Sequence, residues 1–237
     1  MKINWIAAML IALACLTAGL ARAADPPVAG DSKTVVILGD SLAAGLGVDY
    51  DEAFPELLQK KIEAAGWHDT VVNAGVSGDT SADGLARVDW LLRRKIDVLV
   101  LELGGNDGLR GISVEATRTN LQSILDRVHA KYPDARLVVA GMQMPPNMGE
   151  DYIRAFRALF PELAARNHAV LIPFLLEGVG GKPELNQPDH IHPTAAGHRI
   201  VAENVWKALE PVLAALHSLA KQGGFQPTMP ERGGEGE

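Results

Sequence analysis

The sequence predicts an α/β protein in which a five-stranded parallel sheet lies between two layers of helices. Short runs of β-branched and aliphatic residues alternate five times with longer segments of helical periodicity. Each connection is long enough to contain a helix, as a crossover between parallel strands requires. The third run, at 97–103, is almost continuously apolar, which is typical of a central strand covered on both faces. We therefore expect one domain with a three-layer α/β/α sandwich.

The five strand candidates share a short length and a Val-, Ile- and Leu-rich composition. The first of them ends at Gly39, and turn-forming residues follow the second and third as well. In chain order the predicted strands are 33–39, 70–73, 97–103, 136–140 and 169–172.

A segment with apolar residues every three or four positions follows each strand. In the first such segment Phe54, Leu58 and Ile62 share one helical face, and Gly66 follows as the expected C-cap. The predicted helices cover 52–65, 81–94, 113–131, 150–166 and a last segment that runs from 194 into the 210s. We expect Pro211 to kink or interrupt this last helix, because proline removes a backbone donor.

The two ends of the chain differ from the domain between them. An early lysine, an apolar run and an Ala-Arg-Ala ending predict a signal peptide at 1–23. The alternative is a transmembrane anchor, for which the apolar run is marginal in length. A removed signal peptide predicts a periplasmic or secreted protein. The globular domain is expected at 32–220, and a tail rich in Gly, Pro and Glu at 221–237 is expected to be disordered.

Composition argues against several classes of function. The single cysteine, Cys15, lies in the predicted signal peptide, so the mature chain has no disulfide and no thiol nucleophile. The formal net charge of −7, with no cluster of Lys and Arg, argues against nucleic acid and anionic membranes as partners. No G-x-G-x-x-G and no Gly-Lys-Ser/Thr motif follows a strand, so no phosphate-binding cofactor is expected.

Candidate functional residues follow the first three strands. Ligands of parallel sheets bind outside the carboxyl ends of the strands, where Ser41, Gly78 and Asn106 are placed. Ser41 follows Gly39 directly, although serine is also an ordinary helix N-cap. Glycine allows backbone amides to approach a ligand closely, although Gly and Asn favour turns for conformational reasons too.

The segment before the last helix is chemically more specific. Asp189 precedes His192 by three residues, at the same sheet edge as Ser41. A carboxylate in this position can fix the imidazole tautomer, and the other ring nitrogen can then accept a proton from a serine hydroxyl. His190 is a competing assignment for the histidine. A metal site of Asp189, His190 and His192 is the other alternative, but the remaining histidines are scattered, and we expect no metal.

These segments together resemble the GDSL, or SGNH, hydrolase family. The sequence Gly39-Asp40-Ser41-Leu42 is similar to the signature after which the family is named, and Gly78, Asn106 and His192 match its later blocks in the same order. The resemblance covers nearly all of 33–212. It is greatest to the bacterial periplasmic thioesterase I/protease I/lysophospholipase L1 subgroup and its arylesterase relatives. His190 departs from the pattern, because the family usually has glycine there.

The resemblance implies the flavodoxin-like SGNH hydrolase fold and a cofactor-free serine esterase that works through an acyl-enzyme. Ser41 is then the nucleophile, with His192 as its base and Asp189 as the partner of the histidine. The oxyanion hole consists of the backbone N–H groups of Ser41 and Gly78 and the side-chain amide of Asn106. The G-x-S-x-G elbow of α/β-hydrolases is absent from the sequence, in agreement with this assignment.

The subgroup implies a monomer that acts on small carboxylic esters and acyl thioesters, among them aryl esters, medium or long acyl chains and lysophospholipids. We expect Leu109, Ile112, Met142 and Met144, with Met148, either to line an apolar acyl groove or to pack beneath the loops. One alternative function is a carbohydrate acetylesterase, which needs a polar, open site. Another is a non-catalytic binding domain, which is expected to lack one of the reactive residues. The expected triad residues Ser41, Asp189 and His192 and the expected oxyanion residues Gly78 and Asn106 are all present in this sequence.

Overall fold

A computed structural model describes residues 32–223 of the chain. The predicted signal peptide at 1–23 lies outside the described residues and stays a prediction. The predicted tail begins inside the last helix, which extends to residue 223, and the rest of the tail also lies outside. Within the described range, no helix combines the length and apolar composition needed to cross a membrane.

All five predicted strands form, and they pair in parallel in the order β2-β1-β3-β4-β5. The predicted α/β class is therefore confirmed. The central strands β1, β3 and β4 are almost wholly buried, as their continuous apolar sequences require. The strands are β1 (Thr34–Gly39), β2 (Thr70–Gly75), β3 (Val98–Glu102), β4 (Arg136–Ala140) and β5 (Val170–Ile172).

The predicted helices also form, with small shifts at their ends. Two helices of four and five residues are additional, because segments that short carry no periodicity in the sequence. Short 3₁₀ turns lie at Tyr50–Glu52, Pro146–Met148 and Pro183–Leu185. The helices are α1 (Ser41–Ala44), α2 (Phe54–Ala64), α3 (Ser81–Leu91), α4 (Gly105–Leu109), α5 (Val114–Lys131), α6 (Glu150–Arg166) and α7 (Ala195–Gly223).

Of the two outcomes expected at Pro211, the interruption of the last helix is wrong, because α7 continues through this residue, and the kink stays a prediction. Leu209 and Leu213, one on each side of the proline, are fully buried in the core. The apolar area that they bury offsets the missing backbone hydrogen bond, so that tertiary packing outweighs the local preference.

The strand order reverses at β1, and this reversal locates the ligand crevice. The chain passes from β1 to β2 on one side and then returns to β3 on the other side. Connections that leave in opposite directions open a crevice outside the carboxyl ends of the strands. Gly39, at the end of β1, is level with Gly75 of β2 and Glu102 of β3. The turns after these three strands therefore meet at one place.

A buried hydrogen bond joins the far end of α7 to the segment directly before β2. The Nε2 atom of His217 lies 2.9 Å from Oδ2 of Asp69, and Trp67 stacks on the His217 ring at 5.2 Å between centroids. The other oxygen of Asp69 accepts a hydrogen bond of 2.8 Å from the backbone N–H of Lys33. Asp69 thus connects the helix to the segments that precede β1 and β2.

We expect Asp69→Ala to lower the free energy of unfolding by about 3 kcal/mol, because it removes two hydrogen bonds, one to a buried imidazole and one to a partly buried backbone N–H. Urea unfolding at neutral pH measures the change. Asp89→Ala is the matched control, since its ion pair with Arg127 is exposed and worth less than about 1 kcal/mol. Equal stability of the two variants would contradict a structural role for the pair.

Candidate active site

Ser41 is the first residue of α1, directly after the central strand. Asp40 caps this short helix, because its Oδ1 accepts a hydrogen bond of 3.0 Å from the backbone N–H of Leu42. The α1 helix ends at Gly45, whose φ of 72° lies in the left-handed region. The Ser41 side chain is held at the floor of the crevice, and the residue is only 7% exposed. Its backbone N–H has no acceptor among residues 32–223.

A closed loop at 186–193 presents Asp189 and His192 to the crevice. An isolated antiparallel bridge between Asn186 and Pro193 closes the base of this loop. Inside the loop, the backbone N–H of Gln187 donates to the carbonyl of His192 at 2.7 Å. These bonds hold the loop in one conformation, so that its polar side chains have defined positions.

Ser41, His192 and Asp189 form one hydrogen-bonded chain. The Oγ atom of Ser41 lies 2.8 Å from Nε2 of His192, and Nδ1 of His192 lies 2.7 Å from Oδ2 of Asp189. The bond with the His192 side chain and those from the N–H groups of His192 and Ile191 lower the pKa of Asp189 to about 2. A carboxylate that stays ionised can hold the imidazole in the tautomer that accepts a serine proton.

The turn that carries Gly78 lies against the end of β1. The backbone N–H of Val76 donates to the carbonyl of Gly39 at 3.1 Å, and the Gly78 carbonyl accepts a bond of 2.9 Å from Arg110. Gly78 has a φ of 88°, where a side chain would be strained. This conformation leaves its backbone N–H without an acceptor in the described part of the chain. Ser41 and Gly78 therefore offer two unpaired donors, as an oxyanion hole requires.

Asn106 reaches the same place from α4, but its amide is already engaged. Its Nδ2 donates to the carbonyl of Asp79 at 2.9 Å and to Oδ2 of Asp40 at 3.2 Å. The next residue, Asp107, is fully buried and anchors α4, because its carboxylate accepts bonds from the N–H and the hydroxyl of Ser81. Asn106 is thus held at the site, with both amide hydrogens paired.

Asp40 is the electrostatically perturbed group beside Ser41. Burial raises its pKa from 3.8 to about 6, against the opposing effect of the Leu42 N–H and the His192 imidazole. The charges of Asp79 and Asp107 add to the rise. Beneath Asp40 lies Glu102, whose pKa burial raises well above its usual value. The site therefore has an acidic pair under the nucleophile turn.

A cavity of about 490 Å³ opens beside Ser41, within the range of about 300–1,000 Å³ that small-molecule sites occupy. Three of the residues expected at an acyl groove, Leu109, Met142 and Met144, line it. Ile112 and Met148, both half-buried, do not line it. Further apolar walls come from segments that the sequence interpretation missed, namely Phe174, Leu176 and Ile191.

His190 lines the mouth of this cavity in a left-handed conformation, with a φ of 61°. Glycine adopts this region without strain, which explains why a glycine is common at this position of the resembling family. The His190 side chain makes no bond to Ser41, and both ring nitrogens of His192 are engaged. No group of three potential metal ligands occurs within residues 32–223.

Glu102 is the residue of the site that sequence reasoning missed. The sequence alone could have indicated Glu102, because it is the one charged residue within the otherwise apolar strand β3, Val98–Glu102. A charged side chain is almost never fully buried in a central strand unless it has a partner.

Known proteins resemble the chain over the whole of this site. The model of the GDSL-like lipase/acylhydrolase family matches residues 37–200. Esterase TesA of Pseudomonas aeruginosa is 44% identical over 183 residues, which are 77% of this chain and 90% of that protein. Thioesterase 1/protease 1/lysophospholipase L1 of Escherichia coli K12 is 40% identical over 186 residues, 78% and 87% of the two chains. The psychrotrophic esterase EstA of Pseudoalteromonas sp., inhibited by monoethylphosphonate, has a TM-score of 0.73 at 32% identity and covers 77% of this chain and 100% of its own.

The raised pKa of Asp40 gives folding a defined pH dependence. Between 3.8 and about 6 the native protein keeps a proton that the unfolded chain has released, so this group makes the protein less stable as the pH rises. Relative to Asp40→Asn, we expect the wild type to lose about 2–3 kcal/mol of stability between about pH 3.5 and pH 7.5. Urea unfolding of both proteins at the two pH values measures the difference. An identical pH dependence would contradict the raised pKa.

Proposed function

The chain belongs to the GDSL-like lipase/acylhydrolase family and is an ester-hydrolysing enzyme, and we propose that Ser41, His192 and Asp189 are its catalytic triad. The observation that carries this proposal is the continuous chain of bonds, 2.8 Å and 2.7 Å long, beside the unpaired N–H groups of Ser41 and Gly78. A positioned base and a pre-formed oxyanion site are the two requirements of acyl transfer through a serine.

In the proposed mechanism, Nε2 of His192 takes the proton of the Ser41 hydroxyl as Oγ attacks the carbonyl carbon of the ester or thioester. Asp189 keeps the imidazole oriented and stabilises the imidazolium that forms. The tetrahedral intermediate collapses to an acyl-Ser41 ester as His192 gives its proton to the departing alcohol or thiol. A water molecule, deprotonated by the same histidine, then releases the carboxylic acid and restores Ser41.

The oxyanion is proposed to accept hydrogen bonds from the backbone N–H groups of Ser41 and Gly78 and from the side-chain amide of Asn106. The two backbone donors are already unpaired. The amide of Asn106 has to exchange one of its present bonds, and the one to Asp40, at 3.2 Å, is longer than the one to the Asp79 carbonyl. Each such donor contributes about 3–4 kcal/mol of transition-state stabilisation in comparable sites.

The proposed substrates are small carboxylic esters and acyl thioesters with an apolar acyl group. The cavity beside Ser41 has Leu, Met and Phe side chains in its walls, and this lining favours a hydrocarbon chain. Lysophospholipids fall within the same class, as the name of the relative from Escherichia coli indicates for that protein. Aryl esters do so as well, as the name Arylesterase indicates for a relative from Vibrio mimicus. A monomer is sufficient for this chemistry, since every proposed reactive group comes from one chain.

The carbohydrate acetylesterase alternative is less favoured by the lining of the cavity. A sugar ring needs several polar partners. Gln143, Asn186 and His190 are among the residues that line the cavity, but Leu109, Met142 and Phe174 make its walls predominantly apolar. An acetyl group would also leave most of the cavity empty. The second alternative, a binding domain without catalysis, does not agree with the enzyme family.

We expect Ser41→Ala to reduce the kcat for a p-nitrophenyl acyl ester by at least about 10⁴-fold, because the nucleophile is removed. A fluorophosphonate probe should label the wild type at Ser41 and leave the variant unlabelled. Ser123→Ala, at an exposed hydroxyl of α5, is the matched control and should retain both the kcat for the ester and the labelling by the probe. Residual turnover close to that of the control in a folded Ser41→Ala protein would rule out the proposed nucleophile.

The acyl cavity gives a second expected outcome. Leu109→Trp fills part of the cavity, and the loss of room for two or three methylenes, at about 0.8 kcal/mol each, should lower kcat/KM for long chains about 10- to 50-fold relative to acetate. Ile112→Trp changes a residue of the same loop outside the cavity and should keep the chain-length profile. The measurement is kcat/KM over p-nitrophenyl esters of about two to sixteen carbons. Parallel profiles of the two variants would exclude an acyl chain from this cavity.

A further inference from the structure

Glu102 occupies a position under the active site for which the proposed triad mechanism has no use. It is the last residue of β3, lies level with Gly39 of β1 and is only 1% exposed. Its carboxyl group fills the space that Gly39 leaves, because a Cβ atom on Gly39 would lie 2.2 Å from Oε2 of Glu102. The end of β1, directly before the turn that carries Ser41, is therefore packed against this carboxyl group.

Glu102 contacts the catalytic turn through Asp40, the residue before the nucleophile. Its Oε2 accepts a bond of 3.1 Å from the backbone N–H of Asp40. The two carboxyl groups are adjacent, and the interaction between them contributes to the raised pKa of Glu102. The Oδ2 atom of Asp40 in turn accepts a bond of 3.2 Å from Nδ2 of Asn106. A path of polar contacts therefore leads from Glu102 through Asp40 to the proposed oxyanion donor.

Two adjacent carboxyl groups can form a hydrogen bond only if one of them carries a proton. Glu102 is the more deeply buried of the two, and its Oε1 has no hydrogen-bond partner among the described residues. A charge on this group would be costly, since backbone N–H donors compensate only in part for the hydration that a fully buried carboxylate loses. Asp40 has donors in Leu42 and Asn106, so the negative charge is better placed there.

We infer that Glu102 is a positioning residue that holds a proton at catalytic pH and donates it in a hydrogen bond to Asp40. This bond keeps the Asp40 carboxylate partnered when the amide of Asn106 turns to the oxyanion. The raised pKa of Glu102, caused first by burial and then by the charge of Asp40, agrees with this state. The other charged groups that act on Asp40 are His192, Asp79 and Asp107. The inference rests on the proposed function of Asn106.

The test compares Glu102→Leu with Glu102→Gln. Leucine removes the donor, so the bond between Asp40 and Asn106 tightens and kcat should fall at least about tenfold, part of the about 100-fold that loss of an oxyanion donor costs. KM should change little, because the contact matters only in the transition state. Glutamine supplies a neutral donor of the same shape and should restore most of kcat. Glu184→Leu, at an exposed position, is the control.

Infrared spectroscopy at neutral pH tests the protonation directly. The wild type should have the carbonyl band of a buried carboxylic acid, and Glu102→Gln should lack it. The inference is overturned if that band is absent from the wild type or persists in Glu102→Gln. It is also overturned if folded Glu102→Gln loses as much kcat as Glu102→Leu, or if folded Glu102→Leu keeps wild-type kcat. If Glu102→Leu does not fold, two results still test the inference. The carbonyl band has to be present in the wild type and absent from Glu102→Gln, and Glu102→Gln has to retain most of the wild-type kcat. A failure of the proposed nucleophile is recognised separately, by an active Ser41→Ala protein.

Discussion

The close approach of Gly39 and Glu102 is the constraint on which the geometry of the site depends. A glycine at the end of β1 lets the carboxyl group of β3 lie against the backbone, where it receives the N–H of Asp40. Helix α1 then begins without any intervening loop, and Ser41 is its first residue. Because Ala43 also lies within 2.7 Å of the position a Gly39 Cβ would take, the helix is pressed against the strand end. The direction of the Ser41 side chain follows from this packing.

Three carboxyl groups of the site illustrate how burial and hydrogen bonding compete. Asp189 is partly exposed and accepts bonds from His192 and the N–H of Ile191, so stabilisation of its charged form lowers its pKa. Asp40 has comparable donors but is buried, and desolvation prevails. Glu102 is buried and lacks a donor on one oxygen, so its neutral form is favoured most. One site therefore favours an ionised partner for the imidazole and a protonated acid under the turn that carries Ser41.

The sequence was sufficient for the elements and for the residues that meet at the crevice, because both depend on local pattern and on parallel topology. The sequence was less informative about the direction in which individual side chains point. Ile112 is only three residues from Leu109, yet the turn after α4 takes it away from the cavity. Pro211 was misjudged because burial of its neighbours outweighs the local cost. The pairing of the Asn106 amide depends on Asp40 and Asp79, which are distant in sequence, and no local pattern predicts such a contact.

The proposed reactive groups and most of the cavity wall come from different parts of the chain. The proposed reactive groups follow β1 and β2 or lie in the loop before α7, whereas most of the apolar wall belongs to the segments after β4 and β5. Changes in those segments can alter the acyl chain that fits while the chemistry stays the same. One exception is Ile191, which lies in the loop of Asp189 and His192. Helix α4 is another, since Asn106 and Leu109 lie one turn apart on it. An acyl chain of the substrate that contacts Leu109 therefore acts on the same short helix as the proposed oxyanion donor Asn106. For this reason the length of the acyl chain can influence kcat as well as binding.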